Sequence, residues 1–365
     1  MKIICTQENL KTGLLMVGRI VSSSNTLPIL SNLLLKTENG TLKISSTNLE
    51  IAITTQVRCK VEEEGETTVS SKTLTDLISN MPSKNITLLT DSGQLKIDTE
   101  NYHTSIKTLP AEDFPLIPKV EGSAPLKFDS QELKKALDEV VFAASSNQTQ
   151  PEISGVFFSV EKGVLKIVAT DRYRLAEKTM AVSKTSTQEA VIVPQKTVAE
   201  LSRIIGNQKG EVLMVCNHNQ ATLSFNDTEI ISRLVDGQYP DYRQIIPQEF
   251  KTTAVTEKTS LISALRAAAV FSQSSNSVKF EMVESRQVLV LTAESAELGK
   301  SVVELPANIQ GVGGEIVFNY HYVLDCLAGV ETANVVIKTI DDNSPGLILP
   351  EEKTDYIYLI MPIKS

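Results

Sequence analysis

The segment KIVATDRYRLAEK, residues 166–178, sets Asp171, Arg172, Tyr173 and Arg174 side by side directly after an apolar run. A carboxylate, two guanidiniums and a phenol could serve proton transfer, an ion-paired turn, or recognition of a ligand. Catalysis needs further parts, and the chain does not offer them. No phosphate loop of the Gly-x-x-x-x-Gly-Lys-Ser/Thr type occurs, and GVGGE at 311–315 lacks its lysine and does not fit the dinucleotide glycine spacing. There is no His-x-x-x-His or other paired metal-ligand spacing. There is no Gly-x-Ser-x-Gly elbow. His218 lies in the polar turn CNHNQ and His103 follows a strand, so both read as exposed or structural residues. No nucleophile–base pair can be assembled. The chain is therefore read as not an enzyme, with no metal and no cofactor.

The elements that must position this segment are those of a large protein. With 365 residues and 41% hydrophobic content, more than one domain is expected. No apolar run is long enough to span a bilayer, and the start MKIICTQENL lacks a secretory apolar stretch. Cys5, Cys59, Cys216 and Cys326 are far apart and form no Cys-x-x-Cys pair, which argues against a zinc site or a disulfide scaffold. A cytoplasmic location is expected. The net charge of -9 argues against a generic nucleic-acid binder.

The chain repeats itself. GTLKISSTNLEIA, GVLKIVATDRYRLA and QVLVLTAESAEL place Leu42, Leu165 and Leu289 at intervals of 123 and 124 residues. VSSKTLTDLI, VPQKTVAELS and VFNYHYVLDCL place Asp76, Glu200 and Asp325 at 124 and 125. The helical patterns TQENLKTGLLMV, DSQELKKALDEV and TEKTSLISALRAA place Leu10, Leu133 and Leu261 at 123 and 128. Three landmarks with one period predict three domains of one architecture, at 1–121, 122–250 and 251–365. A half-period is present too: TLKISSTN and QLKIDTEN begin 53 residues apart. Each half reads as one helix followed by about three antiparallel strands, with tight hairpin turns at Asn39-Gly40 and Ser92-Gly93. LPAEDFPLIPKVEGSAP and DGQYPDYRQIIPQEF read as linkers, because proline resists helix and interior strand alike. The fold class is thus α+β.

By composition alone, residues 170–175 are a solvated turn. Only the middle repeat carries Arg172, Tyr173 and Arg174; the other copies have STNLEIA and TAESAEL. A requirement of the fold would be common to all three, so the charges point to a function local to the second domain.

Six segments in register resemble the bacterial DNA polymerase III beta subunit family of sliding clamps: TLPILSNLLL (26–35), LPAEDFP (109–115), ATDRYRLA (169–176), YPDYRQIIP (239–247), NYHYVLDCL (319–327) and the terminal MPIKS. The resemblance implies three clamp domains, each with two helices on antiparallel sheets. It implies that the chain forms half of a closed ring, a head-to-tail homodimer with helices lining a pore for duplex DNA. The implied partners are double-stranded DNA held topologically, the replicative polymerase, the clamp loader, and other polymerases and repair proteins bearing short clamp-binding motifs. An acidic chain fits, since a strongly basic pore would grip phosphates and impede sliding. A three-domain peptide-binding adaptor that never encircles DNA is the alternative.

The same resemblance assigns residues. A peptide cleft is expected from Ile153, Thr170, Arg172, Tyr173, Arg174 and Leu175, from the linker residues Pro240, Gln244 and Ile245, and from Asn319, Tyr322, Pro345, Met361, Pro362 and Ile363. Arg174 would bond peptide carbonyls or acidic side chains, and changes at Arg174 and Leu175 would cost little stability. Arg172 stands where the family usually has glycine, and Gln244 where a second arginine is frequent, so the turn and the motif preference are expected to differ. DNA contacts are expected from Lys11, Arg19, Lys72, Lys196, Arg203 and Arg266; Lys134, Lys135 and Lys258 also lie on helix starts. Plain solvated helix faces are the other reading. Ser24 and Asn25 replace a basic residue of the family. Thr104 and Ile106, with Val270 and Phe271 on the first helix of domain three, are expected at the dimer interface, unless the last two are core.

Overall fold

A computed structural model of the chain describes residues 1–21, 27–82, 84–122, 124–147, 149–182, 189–272 and 275–364. Among these residues six helices each follow a strand without a break. α1 (Gln7–Val17) follows Lys2–Thr6, α2 (Ser71–Asn80) follows Glu66–Ser70, and α3 (Ser130–Asp138) follows Leu126–Asp129. α4 (Gln195–Ile205) follows Glu189–Pro194, α5 (Lys258–Ala269) follows Thr252–Glu257, and α6 (Tyr320–Gly329) follows Gly314–Asn319. A meander of three antiparallel strands comes after each helix, with one further short strand, Lys60–Glu63, after α1 and another, Asn308–Gly311, after α5. The architecture is α+β, as the periodicity predicts. The repeat landmarks fall at equivalent helix positions: Leu10, Leu133 and Leu261 are each the fourth residue of their helix, and Asp76, Glu200 and Asp325 each the sixth.

The strand ahead of each helix is not evident from the half-period, and it has a distinct role. Among the described residues it pairs with the first strand of the other half, and only Glu66–Ser70 also touches the meander of its own half, at the end of His103–Leu109. Lys2–Thr6 pairs with Asn85–Asp91, and Glu66–Ser70 pairs with Asn32–Glu38. The middle repeat makes the same exchange, Leu126–Asp129 with Glu211–Cys216 and Glu189–Pro194 with Gly155–Glu161. The third does so as well, Thr252–Glu257 with Asn334–Thr339 and Gly314–Asn319 with Ser277–Val283. Each half thus completes the other's sheet, so neither satisfies its backbone alone.

By compactness the chain divides into two units, Met1–Glu132 with Glu200–Leu234 and Leu133–Ala199 with Val235–Ser365. The first holds a 13-stranded sheet. Its continuity across repeats comes from one seam, Ile51–Arg58 against Thr228–Arg233. Leu10, Leu14 and Val17 of α1 are fully buried at helical spacing. Gly13 lies between them because a Cβ there would meet Val57 Cγ2 at 2.5 Å, so only glycine lets α1 close on its strand. The second unit holds a nine-stranded and a four-stranded sheet. Its seam joins Arg174–Ala181 to Tyr356–Ile360. Phe280 and Phe318 meet edge to face in its core, with ring centroids 5.3 Å apart.

Among the described residues two strands that end a meander keep an open edge. His103–Leu109 meets Glu66–Ser70 only through Thr108 and Leu109, which leaves residues 103–107 bonded on one side. Among the described residues Gly299–Pro306 pairs as a strand with Val288–Ser295 alone. The hairpin turns form as expected, with φ of +52° and +75° at Asn39-Gly40 and +47° and +77° at Ser92-Gly93.

Among the described residues no helix is long and apolar enough to cross a membrane. Cys5, Cys59, Cys216 and Cys326 form no disulfide. Burial, with Cys59 nearby, pushes the Cys5 thiol up to about 12, and burial raises Cys326 as well. Thiolate is the reactive form, so a disulfide reagent at neutral pH should modify half-buried Cys59 well before Cys5 and Cys326. Mass mapping of the labelled native chain checks this; equal labelling of the three without denaturant would contradict the burial.

Candidate functional site

The TDRYR segment is a turn closed by its own side chains. Thr170 Oγ1 donates to the Arg174 carbonyl at 2.7 Å and accepts the Arg172 N–H at 3.2 Å. Asp171 Oδ1 accepts the N–H groups of Tyr173 and Arg174 at 2.9 and 3.0 Å. Threonine and aspartate are suited to such local bonds. Arg172 adopts φ +79°, the left-handed conformation a glycine would take here. The arginine therefore leaves the turn in the glycine conformation at some strain.

Arg174 differs from its expected role. Its Nε donates to Asp171 Oδ2 at 3.0 Å, one terminal nitrogen pairs with Asp325, and the other donates to the Phe142 carbonyl at 2.8 Å. The guanidinium also lies 4.5 Å from the Tyr322 ring centroid and 5.5 Å from that of Phe142. Partial burial works against its charge, but Tyr358, Asp325 and Asp171 outweigh that, and the pKa is raised. With three of its five N–H donors spent inside the chain, Arg174 is first a strut that ties the turn to α6.

Leu175 is a second correction. It is fully buried, in a cluster with Val168, Ile192, Tyr239, Leu347 and Leu359. Ile153 and Thr170 are buried too. These three support the surface from beneath. Above them, Tyr173 is 63% exposed, and Ile245 and Pro240 are exposed on the linker. Tyr322, Pro345, Met361, Pro362 and Ile363 are half-buried. The chain end is drawn in by two backbone bonds, Met361 N–H to the Tyr173 carbonyl at 2.8 Å and Ile363 N–H to the Val317 carbonyl at 2.9 Å. Asn319 caps α6, accepting the His321 N–H at 3.0 Å, and Gln244 donates to Asp241 at 2.8 Å. Tyr239 and Tyr242 anchor the linker: Tyr242 donates to Glu177 at 2.5 Å, and burial raises both phenols. Sequence reasoning missed Phe142, Tyr242 and Asp325 here, although Asp325 had been visible as a repeat landmark. The surface is mostly apolar, partly aromatic and held on a rigid sheet seam, which suits docking of apolar anchors.

The cations divide into two sets. Lys72 and Lys196 are each the second residue of their helix and exposed, as the repeat predicts. Lys11 is half-buried on α1, and Arg19 and Arg266 are exposed. Among the described residues none of these five forms an ion pair. Arg19 and Lys72 border one pocket of about 620 Å³ together with Ser70 and Ser71. Arg203 pairs with Glu200, Lys134 with Asp138 and Lys135 with Glu331, and Lys258 donates to the Val330 carbonyl. The first three are partly neutralised within the chain, while Lys258 is tethered but keeps its charge. Ser24 and Asn25 lie outside the described residues.

Thr104 and Ile106 are half-buried on the open-edged strand His103–Leu109. Val270 and Phe271 lie just beyond α5 and not on it: Val270 caps the helix and the Phe271 N–H bonds the Ala268 carbonyl. Val270 is 52% exposed, so it is not core.

Three repeats, each of two halves built from a strand, a helix and a three-stranded meander with exchanged leading strands, define a sliding-clamp fold. Residues 1–118, 127–241 and 243–364 match the profiles of the N-terminal, central and C-terminal domains of the DNA polymerase III beta subunit. The beta sliding clamp of Synechocystis sp. is 31% identical over 388 residues, covering 100% of this chain and 99% of that protein. Among solved structures, a Pseudomonas aeruginosa sliding clamp bound to griselimycin is 28% identical with TM-score 0.96, each chain covered in full. The Thermotoga maritima DNA polymerase III beta subunit is 27% identical with TM-score 0.93, covering 100% of this chain and 99% of that one. The chain belongs to the DNA polymerase III beta subunit family, the beta sliding clamps of DNA replication.

Proposed function

We propose that two copies of this chain, each of three domains (1–121, 122–250 and 251–365), pair head to tail into a ring that encircles duplex DNA. The ring tethers the replicative polymerase in the cytoplasm and catalyses nothing itself. One observation carries this reading. Inside the chain, successive repeats are joined where the last strand of one meander pairs with the last strand of another: Ile51–Arg58 with Thr228–Arg233, and Arg174–Ala181 with Tyr356–Ile360. Among the described residues two meander-ending strands remain without such a partner, His103–Leu109 in the first repeat and Gly299–Pro306 in the third. The same pairing made between two copies uses both open edges and closes by rotation. Thr104 and Ile106 on one edge, and Val270 and Phe271 behind the other, are its apolar contacts.

Lys11, Arg19, Lys72, Lys196 and Arg266 then supply a modest positive lining, with Arg203 a weaker contributor because Glu200 already holds it. The surface around Tyr173, Ile245, Tyr322 and Met361 takes short apolar peptide segments of polymerases, the clamp loader and repair proteins. The departures at Arg172 and Gln244 alter side chains at its rim.

Topology and charge separate in one experiment. On linear duplex the protein alone should bind weakly and lose binding as salt rises. Loaded on a closed circle by a clamp loader, it should stay through high salt and leave when the circle is cut. Lys72→Glu with Lys196→Glu should impair loading more than retention. Equal retention on cut and closed DNA, or a strictly monomeric mass by light scattering at micromolar concentration, would favour the adaptor instead.

A further inference from the structure

The turn at 47–51 repeats the turn at 170–174 bond for bond. Thr47 Oγ1 donates to the Ile51 carbonyl at 3.1 Å and accepts the Leu49 N–H at 3.1 Å. Asn48 Oδ1 accepts the N–H groups of Glu50 and Ile51 at 3.0 and 2.9 Å. Leu49 has φ +75° where Arg172 has +79°. The seam beyond also corresponds: Ile51 faces Ser232 as Arg174 faces Ile360. The Arg233 N–H donates to the Glu50 carbonyl at 2.9 Å, the counterpart of Met361 to Tyr173 at 2.8 Å. A proline-bearing linker, Phe114-Pro115-Leu116-Ile117-Pro118, borders the place where Tyr239-Pro240 and the residues after it border the other. The first unit therefore contains the framework of the proposed peptide surface a second time, with different side chains on it.

Those side chains are exposed and in part strained. Leu116 is 93% exposed and Leu49 is 51% exposed. Leucine in a left-handed conformation is unfavourable, and here the turn holds the side chain toward solvent, away from any core. Leu49, Leu116, Ile117 and Ile231 border a cavity of about 80 Å³, with Glu50 and Arg233 at its edge. That is far below the roughly 300 Å³ at which small-molecule pockets begin, and it suits a single side chain. Arg233 is exposed, forms no ion pair among the described residues, and has its backbone fixed by the seam. An unpaired guanidinium beside apolar walls complements a carboxylate carried next to an apolar anchor.

We propose that this groove is a second peptide-docking surface, for an extended segment with one aliphatic anchor and an acidic residue opposite Arg233. The proposal rests on the reading of the 170–174 surface as a peptide site. With one anchor against several, its affinity is the lower of the two.

The test is a calorimetric titration of the full chain with a short acetylated peptide carrying two leucines, a phenylalanine and an aspartate. Two classes of site are expected. Leu116→Asp with Arg233→Glu should weaken the low-affinity class tenfold or more and leave the other and the melting temperature unchanged. Tyr173→Ala with Ile245→Ala should do the reverse. With Arg233→Glu alone, a peptide bearing lysine in place of aspartate should regain the lost binding. A single class, abolished by the Tyr173 and Ile245 changes and indifferent to those at Leu116 and Arg233, overturns the second groove and leaves the first intact. Binding indifferent to Tyr173 and Ile245 overturns the first reading instead. A changed sedimentation coefficient for the Leu116 and Arg233 variant with unchanged peptide binding identifies the groove as a contact between copies and also overturns the proposal.

Discussion

Replacing Lys178 with methionine should lower the unfolding free energy by about 3–5 kcal/mol, the usual cost of leaving one charge of a buried pair behind. The Lys178 ammonium is 2.7 Å from the Glu139 carboxylate, and both side chains are only 7% exposed. Asp355, at 2.9 Å and half exposed, keeps its access to water. Glu139 does not, so the methionine variant strands a carboxylate in the interior beneath the Arg174–Ala181 seam. The pair itself is no net source of stability, because both ions had to leave water. Adding Glu139→Leu should therefore recover most of the loss. Urea unfolding of the two variants beside the parent chain measures this. A Lys178→Met cost under about 1 kcal/mol would mean that water reaches Glu139.

Leu175→Ala and Tyr173→Ala should fail in opposite ways, although the residues are two apart. Leu175 is fully buried against Tyr239, Tyr242 and Leu347, and its truncation should cost about 2–5 kcal/mol of stability. Tyr173 is exposed, and its truncation should change stability by no more than about 0.5 kcal/mol. On the proposed function, Tyr173→Ala should weaken a peptide with leucine and phenylalanine anchors by about 2 kcal/mol, the size of a lost hot spot. Melting curves beside peptide titrations separate the two effects. Unchanged peptide affinity in folded Tyr173→Ala would remove this surface from the peptide reading. A Leu175→Ala chain that melts with the parent would mean that the cluster closes over the lost side chain.

The sequence by itself determined what depends on near neighbours. Leu10, Leu133 and Leu261 mark three copies of one helix because a helix repeats its buried face every few residues. Asn39-Gly40 and Ser92-Gly93 mark hairpins because positive φ is a property of those residues themselves. Thr170-Asp171 and Thr47-Asn48 build matching turns because their side chains bond the next few N–H groups. That shared backbone also narrows what is local to the second domain: not the turn, but the side chains Arg172, Tyr173 and Arg174 mounted on it. Tertiary structure alone decided what happens between distant segments. It tied Arg174 to Asp325 and Phe142 and buried Leu175 under a linker more than sixty residues away. It exchanged the leading strands between halves and, among the described residues, left two meander-ending strands with an open edge. A strand's local pattern states which face is apolar, but its partner is fixed by which edges remain once every other strand has paired.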